Sequence, residues 1–198
     1  MITPFASRQV MRACLAAALA IGIGCASTSI STARQRSQPL LAPFVPTPQD
    51  VVDRMLQLAQ VTSRDVVFDL GCGDGRIVIT AAKRYGAHGV GIDIDPERIE
   101  QAVANAKRAG VEELVIFRQE DALTADISEA TVVTLYLLSA ANLKLRPVLT
   151  RQLQPGARIV SHAFDMGDWP PVKVERFNDR LGQPRTLYLW IADGQFRP

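Results

Sequence analysis

The sequence VVFDLGCGDG at residues 66–75 joins an apolar run to a loop with a glycine at every second position. A helical pattern follows it at residues 76–85. Because glycines have no Cβ, the backbone can turn sharply there and approach a ligand closely. The free N–H groups at the start of the following helix would point at that ligand. A strand, a glycine loop and a helix in this order predict a cofactor site of the nucleotide-binding type.

The spacing of this loop differs from that of a dinucleotide-binding loop. A dinucleotide loop has the pattern G-x-G-x-x-G and holds a pyrophosphate at the helix N-terminus. Here the third glycine comes one position early, and the loop carries the carboxylates of Asp69 and Asp74. These carboxylates would repel a pyrophosphate but attract an ammonium group. S-adenosylmethionine (SAM) has an ammonium group and a sulfonium, so the loop predicts a SAM site rather than a NAD site.

Strand-like and helix-like segments alternate around the loop. The predicted strands are residues 65–70, 89–94, 114–119, 131–138, 157–163, 172–177 and 185–191, and the predicted helices are residues 48–60, 75–85, 96–109 and 143–153. We expect Thr47 to cap the first helix, and Pro147 to kink the last one or mark a late start. The pattern predicts an α/β fold with a doubly wound, mostly parallel seven-stranded sheet and a C-terminal antiparallel hairpin.

Two further acidic residues follow the second and third predicted strands. In such sheets ligands bind at the carboxyl ends of the strands. Asp93 lies 22 positions after Gly71, the offset at which an acid can accept hydrogen bonds from both hydroxyls of a ribose. Asp121 follows the third strand, where it can accept a hydrogen bond from an adenine amino group. Three acidic signals on successive parallel strands therefore favour an adenosine-containing cofactor.

Several motifs resemble a known family over residues 45–191. FDLGCGDGR, GVGIDID and EDAL are similar to motifs of the Rossmann-like class I SAM-dependent methyltransferases, while VPTP, TLYLLSAANLKLRP and SHAFDMGDW resemble one branch of them. That branch is the protein-lysine methyltransferases acting on the ATP synthase c-subunit and the adenine nucleotide translocase, with their bacterial relatives. The resemblance implies that Thr47 and its neighbours close over SAM. The cofactor-binding residues it implies are Thr47, Asp69, Gly71, Cys72, Gly73, Asp93, Ile94, Asp121 and Ala122.

Candidate catalytic residues lie after the fourth and fifth predicted strands. Many amine methyltransferases carry Asn/Asp-Pro-Pro-Tyr after the fourth strand, but this chain has LYLL at residues 135–138. Tyr136 can supply an aromatic wall and a hydroxyl, or it can simply pack in the core. His162 is a candidate general base if its pKa lies near the working pH, although a structural role that orients a loop is favoured. No His/Cys cluster has the spacing of a metal site.

The leading functional prediction is an N-methyltransferase that acts on a lysine side chain of a protein, with a membrane protein as one option. The alternatives are a small-molecule methyltransferase and a non-catalytic SAM-binding module. Four of the 22 basic residues precede residue 50, whereas all 20 acidic residues lie at or beyond it. The net charge of residues 50–198 is therefore near −2, which argues against a nucleic-acid partner. The sequence does not indicate an oligomeric state.

The chain divides into a leader at residues 1–38 and a methyltransferase domain at residues 39–198. Arg8 and Arg12 precede a short apolar run at residues 13–24, and small polar residues follow. This layout is typical of a secretory signal, but a membrane anchor and a mitochondrial presequence also fit. The leader thus predicts a membrane-associated or exported protein, with a cytoplasm-facing or mitochondrial domain as the alternative.

Overall fold

The computed structural model describes residues 44–198, so the leader and the boundary at residue 38 lie outside the described residues. Four helices and seven strands follow one another in this part of the chain. The helices are α1 Gln49–Leu58, α2 Arg76–Tyr85, α3 Pro96–Ala109 and α4 Ser139–Gln152, and the strands are β1 Val66–Leu70, β2 His88–Asp93, β3 Val115–Gln119, β4 Val132–Leu135, β5 Arg158–His162, β6 Lys173–Asn178 and β7 Pro184–Ile191. None of these helices is both long and apolar enough to cross a membrane.

The seven strands form one sheet in the order β3-β2-β1-β4-β5-β7-β6. Strands β1 to β5 are parallel, and β7 runs antiparallel to both β5 and β6. The predicted mostly parallel sheet with a C-terminal antiparallel hairpin is confirmed. The strand order reverses between β1 and β4, and the two crossover connections leave a crevice at the carboxyl ends of these strands. Asp69, which pairs with Gly91 on one side and Thr134 on the other, ends up at this crevice.

The core lies on both faces of the sheet. On one face α1 and α2 bury an apolar stripe that includes Val52, Met55 and Val78. On the other face α4 packs Leu145 and Leu149 into a cluster with Trp190. These helices explain why the central strands are apolar on both faces, since neither face meets water.

Two predicted helix starts are wrong. Thr47 does not cap α1, because the N-cap is Pro48 and no side chain accepts a hydrogen bond there; the Thr47 carbonyl instead accepts one from Arg76 Nη1 at 2.7 Å. Helix α4 begins at Ser139 rather than at residue 143, and Pro147 lies inside it. Asn142 explains the early start, because its fully buried amide donates to Ser161 Oγ at 3.1 Å and so ties the first turn of α4 to β5.

A buried carboxylate joins the amino ends of three central strands. Asp65 accepts hydrogen bonds from the Thr62 N–H at 2.7 Å and from Thr131 Oγ1 at 2.8 Å, and it pairs with Arg158. Burial alone would raise the pKa of Asp65, but the hydrogen bonds from Thr131, Thr62 and Arg158 hold that pKa below its ordinary value. The native state therefore gains stability from ionised Asp65 at neutral pH, and loses it as the pH falls below about 4.

We expect Asp65→Ala to lower the free energy of unfolding by about 3 kcal/mol at pH 7, because it leaves Arg158 and Thr131 without their partner. Urea denaturation followed by circular dichroism measures this change. Asp193→Ala is the control, since Asp193 pairs with Arg197 at the surface and its loss should change stability little. Equal destabilisation by the two substitutions would contradict a special role for Asp65.

Candidate active site

The glycine loop after β1 adopts a conformation that other residues would not tolerate. Gly71, Gly73 and Gly75 have φ values of +82°, +54° and +78°. The N–H groups of Gly71 and Cys72 both donate to the Ile92 carbonyl, at 2.8 and 2.9 Å. The loop therefore turns tightly against the end of β2. A Cβ at residue 71 would stand 2.8 Å from Leu137 Cδ2, so the segment after β4 packs directly on the loop.

Asp69 is a buried acid at the floor of the crevice, with 3% of its surface exposed. Thr134 Oγ1 donates to its Oδ1 at 2.8 Å. Burial, together with the negative charges of Asp93 and Asp74, raises the pKa of Asp69 to about 7, although the hydrogen bond from Thr134 lowers it in part. A cation placed beside Asp69 would favour its ionised form.

Asp93 and Asp121 stand at the ends of β2 and β3, as the sequence predicts. Asp93 accepts hydrogen bonds from the N–H of Gly73 at 2.8 Å and from the N–H of Asp95 at 3.0 Å, one on each oxygen. Asp121 accepts one from the N–H of Leu123 at 2.9 Å. A carboxylate has about four lone-pair sites, so both groups keep acceptor capacity for the hydroxyl or amino groups of a ligand.

Residues 44–47, which we call the entry segment, lie across the glycine loop. The Phe44 ring takes the space above Gly73, because a Cβ at residue 73 would clash with Phe44 Cε2. The Arg98 guanidinium stacks on the same ring, 4.2 Å from its centroid. Arg76 pairs with Asp74 and donates to the Thr47 carbonyl. Three contacts thus hold the entry segment over the loop.

A cavity of about 240 Å³ lies between the entry segment, the glycine loop and the start of α4. All nine predicted cofactor-binding residues line it, and so does Tyr136; His162 does not. Sequence reasoning missed Phe44, Arg98, Leu137 and Lys144, which also line it. The i,i+4 spacing of Ala140 and Lys144 would have placed them on one face, had the start of α4 been predicted correctly.

Tyr136 and His162 stack face to face, with ring centroids 4.0 Å apart and the planes inclined by 29°. His162 is 1% exposed, and neither ring nitrogen has a hydrogen-bond partner among the described residues. Burial and the charge of Arg185 lower the pKa of His162 to about 4, although Asp179 acts in the opposite direction. A neutral ring with so low a pKa is a poor base. The geometry favours a positioning residue that supports Tyr136 from behind.

We expect His162→Phe to keep kcat/KM within about tenfold of the wild-type value, because phenylalanine preserves the stack, whereas loss of a general base costs about 100- to 10,000-fold. The profile of kcat/KM against pH should keep its shape, since a histidine with a pKa near 4 stays neutral from pH 5 upward. Methyl-transfer assays across this pH range measure both quantities. An acidic limb that disappears in the variant would show that His162 titrates during catalysis.

In residues 44–198 no group of three or more His, Cys, Asp or Glu side chains is placed to hold a metal ion. The site consists of a glycine loop, three acidic residues at the ends of strands, and the cavity that they line. Such a site can hold an adenosine-containing cofactor with a cationic end, and Tyr136 adds an aromatic side chain to the lining of the same cavity.

Comparisons with known proteins agree with this description. A family model described as the ANTKMT methyltransferase domain matches residues 69–173. A protein-lysine N-methyltransferase of Saccharolobus islandicus (strain REY15A) is 46% identical over 150 residues, which are 75% of this chain and 92% of that protein. The human lysine N-methyltransferase of the ATP synthase c-subunit is 30% identical over 132 residues, which are 67% of this chain but 56% of that protein.

A solved structure is also similar. It is titled an RNA methyltransferase from Salinibacter ruber in complex with S-adenosyl-L-homocysteine, and it is 57% identical, with a TM-score of 0.72 over 77% of this chain and 97% of its own. The predicted resemblance and the predicted methyltransferase activity are confirmed. Because the family model spans more than half of the chain and the Saccharolobus protein is matched over almost its whole length, the chain belongs to the ANTKMT methyltransferase domain family.

Proposed function

We propose that this enzyme uses SAM to methylate the ε-amino group of a lysine in a protein substrate. The observation that carries the proposal is the excess of carboxylates around the cavity. Six acidic side chains line it, against three cationic ones; the acids are Asp69, Asp74, Asp93, Asp95, Glu120 and Asp121, and the cations are Arg76, Arg98 and Lys144. A field of this sign attracts a cationic cofactor and a lysine ammonium, and it repels phosphates.

The residues of the cavity fit SAM. Asp69 and the glycine loop suit the methionine end, because a buried carboxylate flanked by two others lacks a positive partner that an ammonium would supply. Asp93 suits the ribose, and Asp121 with Ala122 suits the adenine. The neighbour from Salinibacter ruber, which is titled a complex with S-adenosyl-L-homocysteine, supports this assignment. These residue roles are part of the proposal.

When bound, SAM supplies an electrophilic methyl group on a sulfonium, so the protein has to align the acceptor and exclude water. Tyr136 forms the wall of the cavity at which we place the acceptor amine. Its ring is held from behind by His162 and, at 6.4 Å between centroids, by Phe164. The entry segment lines the same cavity. Among residues 44–198 we assign no titratable group as a base, so we propose that the amine loses its proton to solvent before transfer.

The names of the relatives also support a lysine acceptor. The Saccharolobus protein is called a protein-lysine N-methyltransferase, and the human protein is named as a lysine N-methyltransferase of the ATP synthase c-subunit. The chain covers 56% of the length of the human protein, so the particular substrate in the name of the human protein is weaker support for the proposal. A lysine in a protein is the acceptor that both names share.

Methylation of RNA is the second candidate, because the Salinibacter ruber structure is titled an RNA methyltransferase. The net charge of residues 50–198, which is near −2, argues against it, since RNA binding needs a basic face. Incubation of cell extract with the enzyme and methyl-labelled SAM distinguishes methylation of protein from methylation of RNA. We expect label that protease releases and ribonuclease does not. Label that ribonuclease removes would overturn the lysine proposal and favour RNA.

We further propose that the leader at residues 1–38 brings the enzyme to a membrane, next to a membrane-protein substrate. The support is the basic start and short apolar run of the leader. Mass spectrometry of the mature N-terminus and fractionation of cells test this proposal. We expect the enzyme in the membrane fraction, and its loss from that fraction when residues 1–38 are deleted. A full-length enzyme that stays in the soluble fraction would contradict the proposal.

A further inference from the structure

Lys144 lies in the wall of the cofactor cavity, although it is no part of the motifs that bind the cofactor. It follows Ala140 by one turn of α4, so the two residues share one helix face, and both line the cavity with Tyr136 and Leu137. Leu137 packs on Gly71 in the glycine loop. Lys144 therefore lines the same cavity as Tyr136, beside which the proposed function places the acceptor amine.

The side chain of Lys144 is free to reach into the cavity. It is exposed, and no carboxylate among the described residues forms an ion pair with it, whereas Arg76 pairs with Asp74 and Arg98 stacks on Phe44. The small side chain of Ala140 leaves room on the same helix face. A lysine ammonium on a flexible four-carbon stem is the same group that the proposed function assigns to the substrate.

The sequence uses lysine sparingly. The chain contains 18 arginines and four lysines, which are Lys83, Lys107, Lys144 and Lys173. The other three do not line the cavity. Arginine occupies 18 of the 22 basic positions, yet a lysine lines the cavity that also contains Tyr136.

We infer that Lys144 is a methyl acceptor in its own active site, so that the enzyme methylates itself in cis; this inference rests on the proposed function. The Lys144 ammonium first loses a proton to solvent. The Nζ lone pair then forms a bond to the methyl carbon of SAM, while the methyl–sulfur bond breaks and its electron pair stays on sulfur. The products are N-methylated Lys144 and S-adenosylhomocysteine.

Purified enzyme incubated with methyl-labelled SAM and no other substrate tests the inference. Peptide mass spectrometry should find the methyl groups on Lys144. Lys144→Arg should incorporate more than about tenfold less label, because an intramolecular acceptor reacts far faster than one that must collide. Lys83→Arg is the matched control and should incorporate as much label as the wild type. The labelled fraction per enzyme should grow at the same rate after dilution, as a reaction in cis requires.

Three results would overturn the inference. One is an enzyme that labels protein in extract but leaves Lys144 unmodified, which would leave the proposed function intact. Another is a rate per enzyme that falls on dilution, which would show transfer between molecules. The third is equal labelling of Lys83, Lys107 and Lys173. An enzyme that neither binds SAM nor labels any protein would instead refute the proposed function itself. Calorimetric titration with SAM measures the binding.

Discussion

Asp93→Ala should weaken SAM binding by at least about 100-fold, because it removes hydrogen bonds to a charged acceptor that are worth about 1.5–3 kcal/mol each. In our assignment the Asp93 carboxylate accepts from the ribose hydroxyls, and it already accepts from the N–H groups of Gly73 and Asp95. The substitution therefore removes a ligand contact and also loosens the glycine loop. Isothermal titration calorimetry with SAM measures the loss.

Asp126→Ala is the matched control for that titration. Asp126 lies in the connection between β3 and β4 and caps a turn at Ser128, but it is exposed and does not line the cavity. Its removal should leave the dissociation constant for SAM within about twofold, as expected for surface substitutions. Methyl transfer by Asp93→Ala should fall together with binding. Binding by Asp93→Ala that matches the control would refute the ribose assignment.

SAM affinity should fall by about tenfold for each pH unit below 7, because the Asp69 carboxyl then binds a proton that the cofactor ammonium must displace. Burial beside Asp93 and Asp74 raises the pKa of Asp69 to about 7. Affinity should rise with pH up to that value and level off above it. Asp69→Asn removes the charge, so its affinity should be weak and should not depend on pH between 5 and 7.

The stability of the ligand-free enzyme should depend on pH in the opposite direction, because of the same Asp69 carboxyl. A carboxyl with a pKa of about 7 in the folded state and an ordinary pKa of 3.8 stabilises the fold at low pH, and this contribution disappears as the pH rises through 7. At pH 8 ionised Asp69 is therefore destabilising, and Asp69→Asn should raise the free energy of unfolding by up to about 4 kcal/mol. Unfolding of both proteins in urea at pH 5 and pH 8 measures this gain, which should be smaller at pH 5, where Asp69 is mostly protonated in the folded state. Equal stability of the two proteins at pH 8 would contradict burial of a charged Asp69.

The cofactor side of the site could be predicted from the sequence because its signals are local. Glycine permits the positive φ values at residues 71, 73 and 75, and Asp93 and Asp121 lie at the ends of two strands that the alternation of elements predicts. All of these residues except Gly75 line one cavity. Each signal spans a few positions, so no long-range contact was needed to recognise it.

The acceptor side was harder to predict, because long-range contacts determine it. The apolar run at residues 131–138 predicted one long strand, yet β4 ends at Leu135 and α4 begins at Ser139. An apolar run does not distinguish a strand from the buried turn that follows it. The start of α4 depends on Asn142, which donates to Ser161 and to the carbonyls of Phe164 and Asp165 far along the chain. The places of Leu137 and Lys144 in the cavity depend on that start.

The most direct measurement of the central claim is the chemical identity of the methylated product. Protein labelled by the enzyme with methyl-labelled SAM is hydrolysed completely to amino acids and separated by chromatography, with Asp93→Ala run in parallel to mark labelling by other enzymes. We predict that the enzyme-dependent label elutes as ε-N-methylated lysine. Enzyme-dependent label in nucleosides, in a small molecule or in any other amino acid would contradict the claim.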